Sequence, residues 1–423
     1  MELSLIKKKY FRNNYSIFCF FLFFLIEFFI SYCQIFKGYP SDLLYHIMII
    51  SKIGTLNFPE MGFEYTIFIL SKVTGIEFQW TAIFVLSLIM GTQALFIYYL
   101  FDKLTKIENY KTFLFSIIAM TCGAIYLPFF NRALPFHHFP EKLSGYLTRH
   151  PHSIISGNTI TMVAKFFGHY TLFGIESPNI WHNPTYIVIR IIALGIIYLY
   201  LTQKKQEQLW SISILLGISC FYKPSFATIF IPAVFIYEFI QNKNTLIKTI
   251  QRISIIILPT IMILGTMFYM LTFVYKTPHG QTSHIIFAPL GVIHLYVKNE
   301  LGALFEALAF PILILLLRHK EIFTYNKFLL FSWIMLFFGY IYWALLAQSG
   351  SDFYGAGNFG WGYNLGLFFV FTFSIVEYIR FSIQRSQEKY LKILFFIATG
   401  LLFLHFFWGL AYLVRVLLGF SLF

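Results

Sequence analysis

Apolar runs, each roughly 20 residues long, recur from one end of this chain to the other, and they constrain it more than any other feature. A hydrocarbon core about 30 Å thick is crossed by roughly 20 helical residues. Backbone polar groups inside it must pair within the segment, which leaves helices as the spanning unit here. The runs fall at 15–33, 81–101, 113–131, 184–202, 209–222, 225–241, 253–275, 300–317, 328–347, 364–381 and 393–418. They predict an all-α fold, a polytopic transmembrane helical bundle of about 11 spans that forms a single domain over 1–423. Charged residues make up 12% of the chain, about half the usual share of a soluble domain. No hydrophilic stretch is long enough to fold separately.

The distribution of charge orients the bundle. Lys7, Lys8, Lys9 and Arg12 precede the first run, which is too long for a signal-peptide core and is followed by no A-x-A-like site. An uncleaved first helix with a cytoplasmic N-terminus is expected, in a multi-pass cell-membrane protein whose C-terminus lies outside. With alternating crossings, 19 of the 31 Lys and Arg residues fall in the N-terminal segment and the short loops on its side, as the positive-inside rule requires. This bias accounts for much of the net charge of +13. No basic block with interleaved aromatics points to nucleic acid.

Four non-cytoplasmic segments remain, at 34–80, 132–183, 276–299 and 348–363. The first two are too long for simple connectors. Apolar stretches of helical spacing, such as Leu43 to Ile50, predict interfacial helices within them. Lys223-Pro224-Ser225 separates the runs 209–222 and 225–241. Proline disfavours helix before it, so this is a hairpin of two short helices or one broken crossing. The basic loops downstream favour the hairpin.

The polar chemistry lies in the same segments. Ten of the twelve histidines are on the non-cytoplasmic side; imidazole can bind phosphate, move a proton or ligate a metal. Asp42 and His46 are four apart and share a helix face. They read as a general base with a tuning partner, although Ser41 or Asp42 reads equally as a helix cap. Glu60 and Glu64 make a second pair at the same spacing. The second segment holds Arg132, Arg149-His150-Pro151-His152, His169 and His182, and guanidinium flanked by imidazole suits a phosphate or diphosphate. Lys223, at a helix break near hydrocarbon, needs a partner, water or snorkelling, and a lipid-linked phosphate is one such partner. Asp352, Asn358 and Trp361, in a glycine-rich segment, suit contact with a sugar; the same segment also reads as a flexible connector. The four cysteines read as packing residues. No metal-ligand spacing, P-loop, H-E-x-x-H, G-x-S-x-G or C-x-x-C is present. No cofactor is expected, and a divalent metal is neither indicated nor excluded.

This layout resembles the GT-C superfamily of membrane glycosyltransferases. The likeness rests on a basic N-terminus and one span, then a long outside segment with acidic Asp42 near its start. A second long outside segment and the short pair around Lys223-Pro224 follow. A single Asp42 stands where such enzymes often carry an acidic pair. The resemblance implies transfer of a sugar from a polyprenyl-phosphate- or diphosphate-linked donor to a glycan or lipid-linked acceptor. Asp42 would deprotonate the acceptor, and Arg149, His150, His152 and Lys223 would stabilise the departing phosphate. Three other readings share the same topology: an O-antigen-type polymerase or ligase, a lipid-linked sugar transporter or flippase, and a non-catalytic assembly protein.

Overall fold

The computed structural model describes residues 2–53, 60–125, 177–203, 207–241, 246–270, 273, 284–295, 299–319, 326–349, 357–384 and 389–419. Among these, the chain forms thirteen α-helices and one short ribbon. The helices are α1 (Glu2–Phe36), α2 (Leu43–Ile50), α3 (Gly62–Thr74), α4 (Phe78–Thr105), α5 (Asn109–Thr121), α6 (Pro184–Thr202), α7 (Glu207–Tyr222), α8 (Ser225–Gln241), α9 (Leu246–Tyr269), α10 (Glu300–Leu317), α11 (Lys327–Leu345), α12 (Gly360–Gln384) and α13 (Lys389–Leu417). Eight are long and apolar enough to cross a membrane: α1, α4, α6 and α9 to α13. The protein is therefore a membrane-embedded, multi-pass helical bundle. Two shorter apolar helices, α7 and α8, stand between α6 and α9 in the chain.

Polar contacts sort the helix ends into two groups. At one end, Arg380 donates to the Leu104 carbonyl at 3.0 Å and to Glu377 at 2.6 Å. Arg318 reaches the other Glu377 oxygen at 3.3 Å. Tyr200 donates to Glu238 at 2.9 Å, and Arg252 pairs with the same carboxylate. Lys327 donates to the Leu201 carbonyl. This end, the basic end, ties together α4, α6, α8, α9, α10, α11 and α12. Asp42 lies at the other end with the starts of α6, α8 and α12. The polar pairs sit where helices end because an unpaired charge in hydrocarbon is costly.

Lys223-Pro224 forms a hairpin turn. Tyr222, which ends α7, reaches Thr66 at the Asp42 end, whereas Glu238 of α8 is held at the basic end. α12 is the most enclosed span, with α9 and α13 the least, so α12 is the axis of the packing. Close crossings use glycine. A Cβ on Gly409 of α13 would collide with the Thr121 carbonyl at the end of α5, and small residues allow such approach in membranes.

Two features depart from the sequence expectation. The run 113–131 stays helical only to Thr121. There Asn179 Nδ2 donates to the carbonyls of Ala119 and Cys122, and Gly123 donates to the His405 carbonyl. These bonds hold the chain out of the helical path. Second, the segments 276–299 and 348–363 are joined by an antiparallel ribbon of β1 (Ile285–Phe287) and β2 (Leu346–Gln348). Helix α11 therefore ends at Leu345, and the ribbon extends it. In the first segment α2 forms where a helix was expected, burying Leu43, Ile47 and Ile50 and exposing Leu44, Tyr45 and Met48; of the second segment, 132–176 lies outside the described residues. All four cysteines are buried.

Candidate functional site

Asp42 occupies the position before α2, yet its side chain caps nothing. Ser41 Oγ accepts from the Leu43 N–H at 2.8 Å instead. The Asp42 carboxylate is turned to α6, where its Oδ2 accepts from Asn183 Nδ2 at 2.7 Å. Its backbone N–H donates to the His182 carbonyl at 3.2 Å. The starts of α2 and α6 are thereby pinned together, although they lie far apart in sequence.

Asn183 is the true cap in this corner. Its Oδ1 accepts from the Tyr186 N–H at 2.8 Å, with Pro184 in the first turn of α6. The same oxygen accepts from Thr185 Oγ1 at 2.8 Å, and Thr185 Oγ1 accepts from Lys223 Nζ at 3.1 Å. An unbroken string of hydrogen bonds thus links Lys223, Thr185, Asn183 and Asp42. Lys223 is 8% exposed, and its ammonium sits 4.2 Å from the centre of the Trp361 ring, a cation–π contact. Tyr186 also lies against Trp361, their ring centres 5.6 Å apart. Desolvation lowers the Lys223 ammonium to about 8, against the opposing pull of Glu60, Asp42 and Glu64.

The acidic wall comes from α3 and the residue pair before it. Glu64, 1% exposed, approaches His46 Nδ1 at 2.5 Å. Among the described residues its second oxygen has no hydrogen-bond partner. Glu60 is half-buried; desolvation raises its carboxyl, with Lys223 and His46 pulling it down and Glu64 pushing it up. Gly62 lets α3 lie against the end of α7, because a Cβ there would meet the Phe221 carbonyl oxygen at 2.8 Å. Thr66 and Tyr222 hydrogen-bond across this contact at 2.9 Å. Beside it a groove of about 620 Å³ opens between α3, α7 and α9, lined mainly by apolar side chains such as Met61, Ile69, Met262 and Met267.

The structure thus brings together Asp42, His46, Lys223 and Trp361 from the sequence expectation, and places Glu60 and Glu64 beside them. It changes three roles. His46 pairs with Glu64 rather than with Asp42. His182 is buried, with Nδ1 3.2 Å from the Tyr412 hydroxyl. Desolvation lowers its imidazole to about 4, the Lys223 charge adding to this and Asp42 opposing it; it is neutral at ordinary pH and anchors packing rather than an anion. Trp361 is also buried, with Lys223 against its face, so it serves the cation and is no open sugar platform. Arg132, Arg149, His150, His152, His169 and Asp352 lie outside the described residues. Asn358 donates to Gln348 beside the ribbon. His284 and His294 also belong to the ribbon region, where His294 pairs with Glu300. Among the described residues, no group of three or more His, Cys, Asp or Glu side chains is arranged to hold a metal ion.

Sequence reasoning missed Asn183 and Thr185 as members of the site. Asn183-Pro184 carries a helix-start signal, and that signal accounts for only one of the two polar ends of the asparagine. Against known proteins, the chain matches no family model, no curated protein and no solved structure.

Proposed function

We propose that this protein is a membrane glycosyltransferase. It takes a sugar from a polyprenyl-phosphate or polyprenyl-diphosphate carrier and passes it to a glycan or lipid-linked acceptor at the non-cytoplasmic face, for cell-surface assembly. The observation that carries this reading is the string from Lys223 through Thr185 and Asn183 to Asp42. It fixes a cation, suited to a phosphate, in register with a carboxylate, suited to a hydroxyl. Both sit at the helix ends, where a lipid-borne substrate presents its head group. The apolar groove beside Tyr222 opens next to the same corner and suits the carrier's hydrocarbon.

In this reaction the acceptor oxygen attacks the anomeric carbon while the bond from that carbon to the phosphate oxygen breaks. Negative charge develops on the leaving phosphate, and a positioned ammonium stabilises it. The acceptor proton leaves toward α2, where Asp42 and His46 stand one helical turn apart. Asp42 holds the hydroxyl, and Asn183 and Thr185 keep Asp42 and Lys223 at a fixed separation.

The test uses the purified full chain in lipid nanodiscs, a labelled polyprenyl-phosphate-hexose and acceptor-containing membrane extract. Asp42→Asn keeps the size and the hydrogen bond from Asn183 but removes the charge. Transfer is expected to fall by a factor on the order of a hundred or more, with the protein still folded and inserted. Unchanged transfer in that variant would remove Asp42 from the mechanism.

A further inference from the structure

We infer that His46 Nε2 is the proton-accepting atom of this site, and that Glu64 is the positioning residue that prepares it. For its substrate the inference rests on the transferase reading above; for its chemistry it rests on the α2–α3 contact.

Glu64 is buried to 1% exposure on the first turn of α3, where an unpaired carboxylate is costly. One of its oxygens lies 2.5 Å from His46 Nδ1, and the other has no hydrogen-bond partner among the described residues. A carboxylate at Nδ1 fixes the tautomer: the proton sits on Nδ1 and the lone pair is left on Nε2. The ring cannot turn freely to exchange these roles. Phe63 meets it edge-on at 5.8 Å and Tyr45 at 6.1 Å. His46 keeps 14% of its side chain exposed, whereas its partner keeps 2%. The pair therefore has a buried orienting end and an accessible ring. Asp42, one turn earlier on α2, is already the acceptor for Asn183, which suits it to holding a hydroxyl in place.

The proton balance follows. As the acceptor oxygen bonds to the anomeric carbon, its proton passes to His46 Nε2, and the electrons of the broken carbon–oxygen bond leave on the phosphate. The imidazolium formed is matched by Glu64 and later returns its proton to water. The other charged groups facing this pair are Glu60 from the residue pair before α3, Asp42 from the start of α2, and Lys223 from the α7–α8 turn.

Two measurements on the full chain test the assignment. In the first, diethyl pyrocarbonate, which modifies only unprotonated imidazole, is applied at a fixed pH, and mass spectrometry follows the rate of modification of the His46 peptide. At one fixed pH, Glu64→Gln, which no longer holds the proton on Nδ1, should change the rate of His46 modification severalfold, and Glu64→Asp should restore most of the wild-type rate. An identical rate in wild type and Glu64→Gln would overturn the pairing, whether or not the protein transfers sugar. In the second, His46→Gln should lower kcat by about a hundredfold with KM little changed. Glu64→Gln should lower kcat in step with its altered modification rate, and Glu64→Asp should recover both. A His46→Gln variant with wild-type kcat overturns the role of His46 and leaves the transferase reading standing. Failure of the wild-type protein to turn over any polyprenyl-linked donor removes the transferase reading, and the modification rates still decide the His46–Glu64 assignment.

Discussion

Lys223 carries the sharpest consequence at the scale of a single residue. Its ammonium is held near 8 chiefly by desolvation, so it is charged at neutral pH and loses its proton just above. The charged form is the one that binds phosphate. Affinity for a polyprenyl-phosphate-hexose, whose phosphodiester charge is constant, should therefore weaken as pH rises through about 8. Lys223→Arg, whose guanidinium stays protonated to above about 12, should remove that alkaline decline even where it lowers overall activity. Titration of binding between about pH 7 and pH 9, roughly one unit either side of the transition, distinguishes the two. A decline of equal midpoint in both proteins would assign it to another group. Lys223 was readable from sequence because a charge near hydrocarbon is expensive, and Asp42 because it stands one helical turn from His46 near the start of the first non-cytoplasmic segment. Asn183 and Thr185 were not, because a short polar side chain at a helix start already has a local explanation. Glu64 was visible only as the companion of Glu60, since its pairing with His46 depends on how α3 folds back onto α2.

At the scale of elements, the site depends on one close contact, between α3 and the turn joining α7 to α8. Gly62 makes that contact possible. Gly62→Ala would drive a methyl into the Phe221 carbonyl, so α3 must shift and carry Glu60 and Glu64 away from Lys223. Transfer should fall about a hundredfold, as expected for a catalytic group misplaced by roughly 1 Å, while the protein still inserts and survives extraction as a monodisperse species. Undiminished transfer would separate α3 from the site. The helices themselves were legible, since a span is specified by length and hydropathy alone. α6, α8 and α10 begin and end where their apolar runs do. The ribbon of Ile285–Phe287 with Leu346–Gln348 was not, because three residues are too few for a period-two signal and the pairing joins segments far apart in the chain. The early end of α5 also escaped, because it is set by the Asn179 side chain rather than by the residues of the run.

At the scale of the whole molecule, the two ends differ in kind. The basic end is a set of closed pairs, Arg318 and Arg380 with Glu377, and Arg252 with Glu238. The Asp42 end holds a buried cation whose direct partners are a hydroxyl and a ring, beside carboxylates that it does not neutralise by contact. The basic end is expected to face the cytoplasm. The exposed positions Lys111, on α5 near the basic end, and Lys72, on α3, give a direct check against a background of buried native cysteines. Lys72→Cys should react with a membrane-impermeant maleimide on intact cells, and Lys111→Cys only after permeabilisation. The reverse pattern would invert the bundle. Glu27 adds a polar group well inside a span, fully buried and accepting from Ser31 at 2.9 Å. Arg190, also fully buried, donates to Asn179 at 2.9 Å. The partner of Glu27 lies on its own helix, α1, whereas Arg190 also reaches the Met90 sulfur on α4 at 3.5 Å and so braces two helices.

In the proposed reaction Lys223 and Asp42 form one site with divided roles, the cation for the phosphate of a lipid carrier and the carboxylate for the acceptor. Equilibrium binding of a polyprenyl-phosphate-hexose to the wild-type chain, Lys223→Met and Asp42→Asn in nanodiscs tests it most directly. A charge-assisted hydrogen bond contributes roughly 1.5–3 kcal/mol. Lys223→Met should therefore weaken binding by about tenfold to a hundredfold. Asp42→Asn should bind as tightly as wild type or more so, because a negative charge beside the phosphate is gone, while its transfer activity is lost. Equal affinity in Lys223→Met and wild type would contradict the account.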